Sequence, residues 1–90
     1  MNQAAKTVLI TNRRGLHARA SAKFVTLAND QPVPVNVCKD GPSVVGTSIM
    51  GLMMLGAAMG DHITISGEGE GAETAVAALA ALVEAKFGEE

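Results

Sequence analysis

The chain has 90 residues, a formal net charge of -2, and 48% hydrophobic but only 2% aromatic residues, so its core has to be built from Val, Ile, Leu, Met and Ala around Phe24 and Phe87. Ninety residues suffice for one modest core and not for two, and residues 1–90 are expected to form a single domain. The slightly acidic balance argues against nonspecific nucleic-acid binding, no apolar run approaches the ~20 residues that span a bilayer, and Met1–Lys6 lacks the pattern of a secretory signal.

Lys6–Thr11 reads as a first strand, with Val8 and Ile10 on one face and Thr7, Leu9 and Thr11 on the other. A polar turn, Asn12-Arg13-Arg14-Gly15, follows. Apolar residues then recur at Leu16, Ala20, Phe24, Leu27 and Ala28, which predicts a helix from about Ala18 that Asn29-Asp30-Gln31-Pro32 ends. His17 therefore stands at an exposed helix entry, where the first N–H groups lack intrahelical acceptors and the positive end of the helix dipole attracts an anion. Arg19 offers a planar fork that matches phosphate oxygens. Taken alone, this pair also fits a turn histidine beside a solvated charge. Arg13, Arg14, Arg19 and Lys23 surround it in sequence, and no acidic residue lies between Ala4 and Ala28, which suits phosphate and acidic partner surfaces.

Val33–Cys38 is a second strand, delayed by Pro32 and Pro34. Cys38 has no second cysteine to pair with and is expected to be a small, buried or half-buried hydrophobe in a reducing compartment. The Asp40-Gly41 pair signals a hairpin into Pro42–Val45. Gly46 and Thr47 introduce a short second helix, with Ser48 placed to cap it and Gly56 or Gly60 to end it. Ile49, Met50, Leu52, Met53, Met54 and Leu55 are too many apolar side chains for so short a helix to hide. Leu52 and Leu55 are expected in the core.

His62–Ser66 alternates, with Ile63 and Ile65 inward. His62 lacks a metal-ligand pattern and reads as a surface residue. Gly67-Glu68-Gly69-Glu70-Gly71 fits no phosphate-loop fingerprint, carries two repelling glutamates, and is expected to be a flexible turn. Ala72, Ala75, Val76, Leu79, Val83 and Phe87 mark a third, amphipathic helix, with Gly88 past its end. The order β-α-β-β-α-β-α predicts an α+β two-layer fold, and pattern alone leaves a ferredoxin-like strand order open beside other arrangements.

Asn12-Arg13-Arg14-Gly15-Leu16-His17-Ala18-Arg19, together with Thr47-Ser48-Ile49-Met50-Gly51-Leu52-Met53, resembles the HPr family, the histidine-containing phosphocarriers of the phosphoenolpyruvate-dependent phosphotransferase system. The likeness runs over nearly the whole chain and includes the spacing between the two motifs. One departure is Ala20, where the family usually has proline; alanine's high helix propensity predicts that the helix survives.

The resemblance implies an open-faced β-sandwich, a four-stranded antiparallel sheet with three helices on one face. It also implies that His17 accepts a phosphoryl group from phospho-enzyme I and passes it to downstream IIA-type acceptor proteins, with Arg19 stabilising the phosphate. Ile49, Met50 and Met53 then form a partner-docking patch and Ser48 is a regulatory phosphorylation site for a kinase of the HPr kinase/phosphorylase type. No cofactor or metal is expected, and the expected state is a cytoplasmic monomer without nucleic-acid partners. A nitrogen-branch paralogue that signals through its phosphorylation state fits His17 equally. A small RNA-binding α+β domain fits poorly, since the strands lack aromatic stacking residues.

Overall fold

The computed structural model describes residues 2–89, in the order β1 (Gln3–Leu9), α1 (Ala18–Asn29), β2 (Val35–Cys38), β3 (Ser43–Val45), α2 (Ile49–Met54), β4 (His62–Glu68), α3 (Ala72–Glu84) and a one-turn 3-10 helix, Lys86–Gly88. The four strands form one antiparallel sheet in the order β1-β4-β2-β3. This is the open-faced sandwich: helices cover one face of the sheet and the other stays open. A ferredoxin-like arrangement is set aside by the same strand order, in which β1 lies at an edge beside β4 alone.

Register decides which residues reach the core. Val8 lies opposite Ile63, and Val37 lies opposite both Ile65 and Val44, so that these side chains share the covered face. There they pack with Phe24 of α1, Leu52 of α2, and Ala75, Val76, Leu79 and Val83 of α3. On the open face Thr7 and Thr64 bond through their hydroxyls at 2.8 Å, and Leu9 and Val45 stay exposed. Phe24 and Phe87, the two rings, are both fully buried.

Several boundaries differ from the pattern-based expectation. β1 spans Gln3–Leu9 rather than Lys6–Thr11, because Gln3, Ala4 and Ala5, weak strand formers, gain a ladder with Glu68, Gly67 and Ser66. The same pairing draws Gly67 and Glu68 into β4, so the expected glycine-rich turn shortens to residues 69–71. β2 begins at Val35, just past the second proline, and β3 at Ser43. At the hairpin Asp40 and Gly41 both take positive φ, 53° and 109°, the combination that a tight turn between right-twisted strands requires. Cys38 is half-buried there and unpaired.

α3 ends at Glu84, and Phe87 is not part of it. Lys86 and Phe87 adopt left-handed backbone, with φ of 58° and 55°, and turn the chain back toward the start of α1 while the Phe87 ring plugs the core. Among the described residues no helix is long and apolar enough to cross a membrane.

Candidate functional site

The turn before α1 is held by backbone and one buried amide. Gly15 takes φ of 62° and donates its N–H to the Asn12 carbonyl at 3.3 Å. The Asn12 side-chain amide in turn donates to the Gly15 carbonyl at 2.8 Å. Gly15 fits so close to the loop after α2 that a Cβ there would meet the Ala57 carbonyl oxygen at 2.3 Å and the Ala58 Cα at 2.8 Å. Leu16, buried, donates its N–H to that same Ala57 carbonyl at 3.0 Å and accepts the Ser21 hydroxyl at 3.1 Å. With Leu16 fixed on both sides, the next residue has little freedom.

That residue is His17, the N-cap of α1, with extended backbone (φ -73°, ψ 178°). Its carbonyl accepts the Ser21 N–H at 2.8 Å, which starts the helix, and its imidazole makes no capping bond. The amides of the first turn are therefore left pointing outward for an anion. Ala20 is fully buried within a regular α1, as expected for an alanine that keeps the helix intact where the family has proline.

The imidazole is less exposed than its position suggested. Its side chain is 13% accessible because Glu89, from the segment past α3, lies against it. Nε2 of His17 bonds Oε2 of Glu89, while Oε1 of Glu89 accepts from the Asn12 amide at 3.1 Å. The hydrogen bond from His17 holds the Glu89 carboxyl below its usual range; partial desolvation opposes this, and the Asn12 bond and the electrostatic pull of the His17 ring and of Lys23 reinforce it. Because this carboxyl is more acidic in the folded chain, its contribution to stability is present above the ordinary carboxylate pKa and fades as pH falls through the lowered value.

Ionised Glu89 can only accept, so Nε2 of His17 is the donor. Nδ1 then has no partner among the described residues. The expectation of a purely basic neighbourhood is corrected here: an acidic side chain from the other end of the chain sits on the histidine, and Lys23 is engaged with the Phe87 carbonyl at 2.8 Å. Arg13, Arg14 and Arg19 are exposed, and among the described residues they form no ion pair, so the Arg19 guanidinium, one position inside the helix, is free to turn toward an incoming anion.

Ser48 is the N-cap of α2, its Oγ accepting the Gly51 N–H at 2.9 Å. Ile49, Met50 and Met53 are exposed, Met50 to 71%, whereas Leu52 is fully buried and Leu55 packs half-buried against the core. Met54 and Met59, at 79% and 57%, extend the apolar surface beyond those three residues. The Leu16–Ala57 and Gly15–Ala58 contacts join the histidine turn to the loop that follows α2, so the apolar patch and His17 belong to one region of the surface. Asn12, Ser21 and Glu89 escaped the sequence reading. For Ser21 a trace was present, in that it follows His17 by one helical turn; Glu89 had none.

The family model for the "PTS HPr component phosphorylation site" matches residues 4–85. The phosphocarrier protein NPr of Shewanella violacea is 38% identical over 89 residues, covering 99% of this chain and 98% of the relative. The phosphocarrier protein HPr of Cupriavidus necator is 44% identical over 80 residues, with 89% of this chain and 90% of the relative covered. The crystal structure of HPr-C-His from Thermoanaerobacter tengcongensis superimposes with a TM-score of 0.89 at 43% identity, over 100% of this chain and 99% of that one.

Proposed function

The chain belongs to the HPr family of phosphocarriers, and from that premise we propose that His17 is its phosphoryl acceptor, loaded by phospho-enzyme I and unloaded by IIA-type acceptor proteins in the cytoplasm, with this chain acting as a monomer. The observation that carries the reading is a histidine at the open N-terminus of α1, two residues before Arg19, whose Nδ1 has no partner among the described residues. The Nδ1 lone pair attacks the phosphorus of the donor phosphohistidine; the phosphorus–nitrogen bond to the donor breaks, and its electron pair stays on the donor ring. Between these events the phosphoryl oxygens need positive partners, and the first-turn amides and the Arg19 guanidinium are the groups on offer. The partner proteins supply the rest of the reaction environment. Incubation with phosphoenolpyruvate and enzyme I tests the reading: acid-labile phosphate should appear on this chain, and none should appear without enzyme I.

Arg19 is expected to matter for transfer and hardly for folding. Replacing an exposed, unpaired charge costs at most about 1 kcal/mol of stability, whereas loss of one preorganised donor to a phosphoryl group slows transfer by roughly 100-fold. Thermal melts beside stopped-flow transfer assays on Arg19→Ala separate the two; a wild-type rate to every partner would remove Arg19 from the mechanism.

Ile49, Met50 and Met53 are the proposed docking patch, since flexible methionine side chains let one surface fit several partners. Ser48 is the proposed regulatory site for an HPr kinase/phosphorylase. A phosphate there adds a charge of roughly −1.5 to −2 next to the apolar patch, which hinders docking. At the N-terminus of α2 the same charge favours the helix by roughly 0.3 to 1 kcal/mol. Phosphorylated at Ser48, the protein should melt no lower than the unmodified form yet accept phosphate at His17 more slowly; a markedly lower melting temperature or an unchanged rate contradicts this switch.

The similarity to NPr of Shewanella violacea favours a second reading, in which phosphorylation of His17 is a signal and no sugar is moved. Presence of sugar-specific permease components in the source genome, and transfer to them in vitro, discriminates the two.

A further inference from the structure

We propose that Ser21 is a positioning residue for phosphoryl transfer: its hydroxyl and its N–H hold the peptide planes on either side of His17, and so aim the His17 N–H and the imidazole at the incoming phosphoryl group. The proposal rests on His17 being the phosphoryl acceptor. Burial is its starting point. Among the described residues only two polar side chains are buried, Asn12 and Ser21, and both bond to carbonyls of the turn that leads into His17. A polar group taken out of water has to recover its lost bonds inside the protein. α1 itself has no use for the hydroxyl, since alanine is the better helix former.

The bonds have a common direction. The Asn12 amide donates to the Gly15 carbonyl at 2.8 Å, the Ser21 hydroxyl to the Leu16 carbonyl at 3.1 Å, and the Ser21 N–H to the His17 carbonyl at 2.8 Å. Three successive carbonyls are thus drawn into the protein. In a trans peptide the carbonyl and the following N–H point opposite ways. Drawing the Leu16 carbonyl onto the hydroxyl therefore turns the His17 N–H outward, and drawing the His17 carbonyl onto the Ser21 N–H does the same to Ala18; neither N–H has an acceptor among the described residues. The plane before His17 sets its φ and the plane after it sets its ψ, so one residue a turn further along the helix fixes both, at -73° and 178°. With them it fixes the Cα–Cβ direction that carries the imidazole.

The hydroxyl is the only partner of the Leu16 carbonyl among the described residues. Without it the plane between Leu16 and His17 rotates until that carbonyl finds water, which swings the His17 N–H off the site and loosens φ. The phosphoryl oxygens then lose a donor that was in place before the reaction began, and the ring loses a fixed line of approach. Docking is left alone, because Ser21 is buried in α1 while Ile49, Met50 and Met53 lie on α2.

Ser21→Ala removes the hydroxyl and favours the helix; Ser21→Cys keeps a side chain of similar shape that donates only weakly. Both full-length variants are to be compared with wild type at a temperature where thermal melts show all three folded, by kcat and KM of phosphoryl transfer from phospho-enzyme I and by the NMR shift of the His17 N–H before and after phosphorylation. The expected result is a kcat lowered by about tenfold in both variants with KM within roughly twofold of wild type, and a downfield shift of the His17 N–H on phosphorylation that wild type shows and the variants lose. A wild-type kcat in either variant overturns the proposal, as does a change confined to KM; so does a His17 N–H that shifts alike in all three proteins or in none. Failure of wild type itself to take phosphate refutes the acceptor reading and this proposal with it, whereas wild type that takes phosphate beside unimpaired variants refutes this proposal alone.

Discussion

His17→Ala is expected to lose all acid-labile phosphorylation while keeping its fold. The loss is complete because the other ring nitrogens are those of His62, exposed at the start of β4 far along the chain and outside the helix entry. The fold survives because the side chain does little structural work. α1 starts from the His17 carbonyl, which the substitution retains, and the imidazole provides no cap that could be lost. What disappears is one part-buried bond to Glu89, outside the core, so that the destabilisation stays below about 2 kcal/mol. Phosphorylation assays with phosphoenolpyruvate and enzyme I, alongside a thermal melt, check both halves. Residual acid-labile phosphate would mean that another residue is loaded, and collapse of the fold would mean that the imidazole carries more structure than its contacts indicate.

Gly15→Ala should have the largest effect on stability. Two penalties add at this position: a left-handed φ of 62°, which costs a residue with a Cβ about 1 kcal/mol or more, and a collision with backbone atoms that no rotamer change relieves. The new methyl group would stand 2.3 Å from the Ala57 carbonyl oxygen, the same oxygen that accepts the Leu16 N–H. Relief of the clash therefore breaks that bond and shifts the loop after α2. We expect a loss of roughly 2–4 kcal/mol, which in a domain of this size lowers Tm by about 10–20 °C. Phosphoryl acceptance should fall as well, because His17 is placed by this turn. A Tm within a few degrees of wild type would show that the turn can open without cost.

The contrast between these two positions shows what the sequence made legible. His17, Arg19 and Ser48 announce themselves through local spacing: a histidine before a 3.6-residue apolar repeat, an arginine in the first turn, a serine ahead of a short apolar stretch. Strands with clean alternation, such as Ile63 and Ile65 between polar neighbours, were equally plain. Less visible was everything set by pairing across the chain. The first half of β1 is a strand because β4 is there to receive it, and the β1-β4-β2-β3 order arises from pairings that no periodicity records. Glu89 meets His17 across 72 positions, by way of two non-glycine residues in left-handed backbone whose conformation nothing in Lys86-Phe87 advertises. Local rules describe the turn that holds the histidine; the carboxylate that faces it is a product of the finished fold.

α2 is the helix of regular α type with the least buried surface. It has six residues and one fully buried side chain, Leu52; at its start Ser48 accepts the Gly51 N–H and donates its own N–H to Val45, and just past its finish the Ala57 carbonyl accepts the Leu16 N–H. Helices this short gain little from their own hydrogen bonds, so α2 is expected to open locally at a smaller free-energy cost than α1 or α3, and its amides to exchange with solvent before theirs. The proposed docking patch thus sits on a helix expected to be softer than α1 or α3. On that proposal a partner can mould the patch to its own relief, and part of the binding affinity goes into ordering it.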